Sequence, residues 1–153
     1  MDYVEIYKDT IALNCDVQDW KDAIRQAGKL LLNEEYISQE YIEECINNVI
    51  EHGPYIVIDP QIAIAHSSPG PSVHTTSISL ITTKDDVEFG HEENDPVRIV
   101  IMFATTNSKN HLEILQKVVD VFSCPINKKR IIEAIDFEEV LDIFKGANYE
   151  KIF

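Results

Sequence analysis

Histidine is the side chain whose ordinary pKa, about 6.5, lets it act as a neutral nucleophile or proton carrier near pH 7. The chain has five, and four of them, His66, His74, His91 and His111, fall in the stretch that reads as strands. His66 ends the apolar run "IAIA" and is followed by "SSPGP". An oily run that stops on a polar ring and a proline-rich turn puts that ring at the tip of a buried strand, where open α/β sheets form their ligand crevices. A neutral imidazole there is a competent nucleophile, provided its surroundings disfavour the proton that would block it. The hydroxyls of Ser67 and Ser68 can donate hydrogen bonds to an anionic group carried on the ring. By itself the pattern also fits a solvated turn histidine.

His111 lies in "ATTNSKNHLEIL", directly after the strongest apolar run and at the start of a helix that Asn107, Ser108 or Asn110 can cap. A helix N-terminus disfavours positive charge and attracts anions, so His111 is expected to be neutral and able to lend an N–H to a phosphate oxygen. Alone, it reads rather as a first-turn histidine packed on the preceding strand. The pair carries more weight, because both rings are expected at loop tips that can converge.

The elements that must position them follow from periodicity. "TIALN" reads as a short strand; Asp16 can cap a helix carrying Val17, Trp20, Ile24, Ala27, Leu30 and Leu31 at helical spacing. Ser38 opens a second helix, with Tyr41, Ile42, Cys45, Ile46, Val49 and Ile50 on its buried stripe and Gly53 just past its end. "YIVI" and "IAIA" are β-branched runs separated by the turn "DPQ", "TTSISLIT" alternates, and "VRIVIMFA" is continuously apolar, as in a strand covered on both faces. The helical period returns from Lys109 in "HLEILQKVVDVF", then in "NKKRIIEAI" and "DFEEVLDIF". Together these predict an α/β fold, a single-domain sandwich over residues 1–153 with a central mixed sheet flanked by helices.

Composition narrows the function. A net charge of −14 leaves no basic stripe to neutralise phosphates, which argues against nucleic acid and suits a basic protein partner. Cys15, Cys45 and Cys124 are odd in number and form no CxxC pair, so they are expected to be buried fillers in a reducing cytoplasm, not a disulfide framework or a thiolate metal site. The start "MDYVEIYKDT" has no leader pattern, and no apolar run approaches the roughly 20 residues of a membrane span. A cytoplasmic protein without membrane insertion is expected.

Other clusters are weaker. "EFGHEENDPVR" gathers His91, Glu92, Glu93 and Asp95 but lacks the ligand and glycine spacing of a calcium loop, and reads as a solvated loop fixed by Pro96. His74 reads as a structural histidine and "NKKR" as a solvated helix start. A metal-dependent hydrolase using His66, His74, His91 and His111 with Asp95 or Glu92 stays open as an alternative, although no HxH or HExxH spacing supports it.

Taken together, "DWKDAIRQAGKLL", "GPYIVIDPQIAIAHSSPG" and "DVEFGHEENDPVRIVIMFATTNSKNHLEILQKVVDVF" resemble the enzyme IIA component of the phosphoenolpyruvate-dependent sugar phosphotransferase system, mannitol/fructose class. The resemblance is greatest to the ascorbate-type branch. It implies a five-stranded mixed sheet and a phosphotransferase component that needs no metal or organic cofactor. It implies too that His66 receives a phosphoryl group from the phosphocarrier protein HPr and passes it to a cysteine of the cognate enzyme IIB. His111 matches the second active-site histidine of the family, and Ser67 is expected to bind the phosphoryl group. Ala65 stands where the family usually has proline. The active-site arginine of mannitol-type members has no counterpart, since "CINNVIEHGPY" offers only Asn47 and Asn48. A IIA-like regulatory domain, read out through its phosphorylation state, is the alternative within this resemblance.

Overall fold

The computed structural model describes residues 6–150. The first part of the stretch read for a leader, and both ends of the expected 1–153 domain, lie outside the described residues. After a 3₁₀ turn at Lys8–Thr10, the order is β1 (Ile11–Cys15), α1 (Trp20–Asn33), α2 (Gln39–His52), β2 (Val57–Asp59), β3 (Gln61–Ala65), β4 (Ser77–Val87), β5 (Val97–Ala104), α3 (Ser108–Phe122), α4 (Pro125–Glu133) and α5 (Phe137–Glu150). The five strands form one open sheet in the order β1-β4-β5-β3-β2. β1 runs parallel to β4 and β3 parallel to β5, while β4–β5 and β2–β3 are antiparallel, so the sheet is mixed as expected.

The period of two along each strand divides the interior into two cores. On β5, Val100, Met102 and Ala104 face α1 and α2, while Ile99, Ile101 and Phe103 face α3 to α5. On β3, Ala63 and Ala65 join the first core and Ile62 and Ile64 the second. This is why "VRIVIMFA" has no polar side in sequence: both of its faces are covered. The first layer sits close to its neighbours. A Cβ added at Gly28 of α1 would stand 2.6 Å from Ile42 Cγ1 and 3.2 Å from Met102 Cε, and Ser79 Oγ of β4 donates to the Ala27 carbonyl at 2.7 Å.

Several boundaries differ from the sequence reading. Helix α1 starts at Trp20 because Asp19, not Asp16, is its cap: Asp19 Oδ1 accepts from Asp22 N–H at 2.8 Å and Asp22 Oδ2 accepts from Gln18 N–H at 3.0 Å. Val17 therefore precedes the helix. Ile50 leaves the α2 stripe and is 57% exposed. "YIVI" contributes only Val57 and Ile58 to β2, since Gly53 (φ 85°) and Pro54 turn the chain just before it. Helix α4 starts at Pro125, and within "NKKR" Lys128 is only 17% exposed, its Nζ 2.6 Å from Asp59 Oδ2 at the end of β2, so this residue is an anchor and not solvated. Of the cysteines only Cys45 is buried; Cys15 is half-buried and Cys124 exposed.

Because Gly28 lets α1 approach both α2 and β5, Gly28→Val should overpack this layer and lower unfolding stability by about 1–3 kcal/mol. Urea unfolding with an unchanged m-value would show it; wild-type stability would mean that Ile42 and Met102 give way freely.

Candidate functional site

Strand register assembles the site. Ala65, the last residue of β3, lies opposite Met102 in the parallel β3–β5 pair, so the next residue, His66, falls beside Phe103. Alternation turns His66 to the α3 side, together with Ile64 and Phe103, and turns Ser67 to the α2 side, together with Ala65. The contacts follow this division. Ala65 itself stays within the strand, 1% exposed, so the chain turns only after it.

The half-buried His66 ring lies flat on Phe103, with centroids 5.0 Å apart and planes 6° apart. The Tyr55 ring meets it edge-on at 6.0 Å and the His111 ring at 5.2 Å. Its Nδ1 is 2.9 Å from the Ile64 carbonyl oxygen, an acceptor, so Nδ1 carries the proton and Nε2 keeps its lone pair. Burial pushes the His66 pKa below 6.5; the Ile64 bond opposes this and the neighbouring His111 adds to it.

His111 lies in the first turn of α3, where Asn107 proves to be the cap: its Oδ1 accepts from Asn110 N–H at 2.8 Å. The His111 ring also meets Phe103, at 5.0 Å and 70°, so one buried phenyl ring is the floor for both imidazoles. Burial lowers the His111 pKa, giving the neutral form expected from its place on the helix. Its Nδ1 is buried with no hydrogen-bond partner, as is Thr105 Oγ1 at the end of β5.

On the α2 side, Ser67 is gripped twice. Its N–H donates to the Tyr41 hydroxyl at 2.9 Å, and that hydroxyl donates to the Phe103 carbonyl at 2.7 Å. Its Oγ accepts from Asn48 Nδ2 at 3.1 Å. The loop continues along α2: Ser72 Oγ donates to Glu44 Oε2 at 3.2 Å, and Ser38 N–H to the Ser72 carbonyl at 2.9 Å. Tyr41, Asn48, Phe103 and Tyr55 were not singled out as site residues in the sequence. Tyr41 and Phe103 read there as core, and their spacing from His66 carries no signal; the tyrosine and asparagine at positions 41 and 48, seven apart on one helix, offered a faint one.

The remaining sequence candidates lie elsewhere. Ser68 is exposed. His74 is exposed too, held through its N–H to the Tyr36 carbonyl at 2.8 Å and its Nδ1 at 3.2 Å from the Glu35 carbonyl. His91 Nδ1 accepts from Asn94 N–H at 3.1 Å, and Asp95 Oδ2 accepts from Gly90 and His91 N–H at 2.7 and 3.0 Å, so the acidic stretch binds its own backbone. Among the described residues, no three His, Cys, Asp or Glu side chains come together as a metal site. The chain's three arginines are engaged away from the histidine pair, Arg25 with Glu43 at 3.9 Å, Arg98 with the Thr83 carbonyl at 2.9 Å and Arg130 with Glu139 at 3.2 Å.

Residues 6–147 match the family described as "Phosphoenolpyruvate-dependent sugar phosphotransferase system, EIIA 2", and the chain belongs to that family. It is 32% identical over 140 residues, 91% of each chain, to the ascorbate-specific PTS system EIIA component of Shigella boydii, and 31% identical with the same coverage to that of Escherichia coli. Solved structures share the fold. Enzyme IIA-Mtl in its complex with phosphorylated enzyme IIB-Mtl from Escherichia coli matches with a TM-score of 0.85 at 23% identity, covering 94% of this chain and 99% of that one. The nitrogen regulatory protein IIA-Ntr from Neisseria meningitidis matches with a TM-score of 0.74 at 23% identity, covering 91% and 95%.

Both site histidines have folded pKa values below their unfolded values, so between the two the unfolded chain binds more protons. Their contribution to stability should be full above about pH 6.5 and fall as the pH drops through the folded values. An NMR titration should place both midpoints below 6.5, with His66 showing a protonated Nδ1 and a bare Nε2 in its ring nitrogen shifts. A bare Nδ1 would overturn the tautomer derived from the Ile64 bond.

Proposed function

We propose that the chain, acting as one phosphocarrier domain over residues 1–153, is the enzyme IIA of a sugar phosphotransferase system, with His66 as its phosphorylated residue. It takes the group from phospho-HPr and passes it to a cysteine of its cognate enzyme IIB, in a system for L-ascorbate. The observation that carries this reading is the bond from His66 Nδ1–H to the Ile64 carbonyl, which leaves Nε2 as a nucleophile in a ring held between Phe103, Tyr55 and His111. The ascorbate assignment rests on the relatives of that name.

In the first step the Nε2 lone pair approaches the phosphorus of the donor in line. The Nε2–P bond forms as the donor's bond to phosphorus breaks, and that electron pair leaves with the donor. In the second step a thiolate of IIB attacks the same phosphorus, the S–P bond forms, and the Nε2–P electrons return to the imidazole. Little covalent work falls to the protein, so positioning and charge stabilisation dominate. Phe103 and Ile64 fix the ring, while the His111 imidazole and the Ser67 hydroxyl supply neutral donors for the phosphoryl oxygens. No step calls for a metal or an organic cofactor.

Both partners are proteins, and the rim of the site suits that. Tyr55 is 45% and Leu112 68% exposed, one beside the His66 ring and the other next to His111 in sequence, an apolar border that a partner can cover. The proposed place of work is the cytoplasm. Among the described residues, no helix is long and apolar enough to cross a membrane.

Intact mass after incubation with phosphoenolpyruvate, enzyme I and HPr tests this. Wild type should gain one acid-labile phosphoryl group and His66→Ala none. His111→Ala should still accept the group but pass it to IIB about 100-fold more slowly, within the range for losing one preorganised donor. Wild-type transfer by His111→Ala would remove His111 from the mechanism. A phosphorylated protein that passes nothing to IIB would favour a regulatory role. No gain in wild type beside phosphorylated HPr would overturn the assignment.

A further inference from the structure

Helix α2 carries two polar side chains seven residues apart, Tyr41 and Asn48, and both end on Ser67. Two turns of helix bring them to one face. They do different things there. Tyr41 holds the backbone N–H of Ser67 and locks it to the end of β5 through the Phe103 carbonyl. Asn48 holds only the side chain, as donor to Ser67 Oγ at 3.1 Å.

A serine hydroxyl has two lone pairs and one proton. With an N–H already donated into one lone pair, the Ser67 proton must go elsewhere, and among the described residues it finds no protein acceptor. We propose that Asn48 is a positioning residue for phosphoryl transfer: by donating to Ser67 Oγ it keeps the serine proton free for a phosphoryl oxygen that reaches it past the end of β3 from the adjacent His66, whose ring lies on the other face of the sheet. The inference rests on His66 being the phosphorylated residue, as proposed above. With the bond reversed, Ser67 would donate to Asn48 and present lone pairs to an anionic group, which repels instead of stabilising. The direction of this one hydrogen bond thus decides whether Ser67 helps or hinders.

The test compares wild type, Asn48→Ala, Asn48→Asp, Ser67→Ala and the Asn48→Ala/Ser67→Ala double variant, each loaded from phospho-HPr, with melting temperature recorded as a check on folding. The readouts are the single-turnover rate of transfer to IIB, the KM for IIB, and the hydrolytic lifetime of the phosphoprotein. Asn48→Ala and Ser67→Ala should each slow transfer about tenfold with KM unchanged, the scale of one hydrogen bond to a charged group. Asn48→Asp should slow it further, because a carboxylate accepts the serine proton and adds negative charge. If Asn48 acts through Ser67, the double variant is no slower than Ser67→Ala alone. Effects of the two that multiply, or an Asn48→Asp protein as fast as wild type, would overturn the proposal while leaving His66 phosphorylation intact. Wild type that takes up no phosphoryl group would sink the parent reading and this one with it.

Discussion

A single buried hydroxyl, that of Tyr41, ties the end of β5 to the turn that follows β3. It donates to the Phe103 carbonyl and accepts from the Ser67 N–H, so two main-chain groups that the sheet ladder no longer pairs are satisfied at once. Leaving either unpaired in the interior would cost about 1–3 kcal/mol. Tyr41 is itself completely buried, and burial pushes its phenol pKa well up, so it stays a neutral donor and acceptor. His66 lies between the two tethered points. Its position is therefore set by the core, although the turn that carries it is a surface turn.

From that tether the two sides of the site separate by strand alternation. His66 joins the face shared with Phe103 and α3, and Ser67 the face shared with Tyr41 and α2. Neither core alone makes a site. The α3 core supplies a rigid aromatic floor and the second imidazole; the α2 core supplies hydrogen bonds to the residue after His66. A one-residue slip of β3 against β5 would exchange these roles, placing the serine on Phe103 and the imidazole under α2. The apolar runs on both faces of β3 and β5 hold the register against such a slip.

How much of this could be read in the sequence depended on how local each signal was. The sheet and helices were legible because their periods are local, and the place of His66 at the end of β3 was legible because an oily strand ending on a histidine is anomalous. The bounds of α1 were missed because Asp16 and Asp19 are both good caps, and only the bond from Asp22 N–H to Asp19 Oδ1 shows which one is used. Lys128 read as solvated because its partner, Asp59, lies far off in sequence. The roles of Tyr41, Phe103 and Asn48 were hidden for the same reason. A tyrosine on an apolar stripe looks like core, and it is core; that its hydroxyl reaches a turn 26 residues on depends on the packing of α2 against the sheet.

The character of the site follows from what surrounds the two rings. The chain's three arginines are bonded elsewhere, and the groups that meet the histidines are a phenyl ring, a phenol ring, each other's imidazole and one main-chain carbonyl. A neutral donor makes a charge-assisted bond to an anionic phosphoryl oxygen, but it brings neither the positive charge nor the paired N–H fork of a guanidinium. A guanidinium fork would hold a phosphoryl group more tightly, but it would hold it in the ground state and in the transition state alike, and such uniform binding does not speed transfer. In the proposed role, neutral donors beside a pair of imidazoles kept uncharged by burial would hold the group with little depth of well. For a protein whose proposed task is to receive a phosphoryl group and give it up again, a shallow well on both sides of the exchange is the arrangement that lets each partner in turn win it.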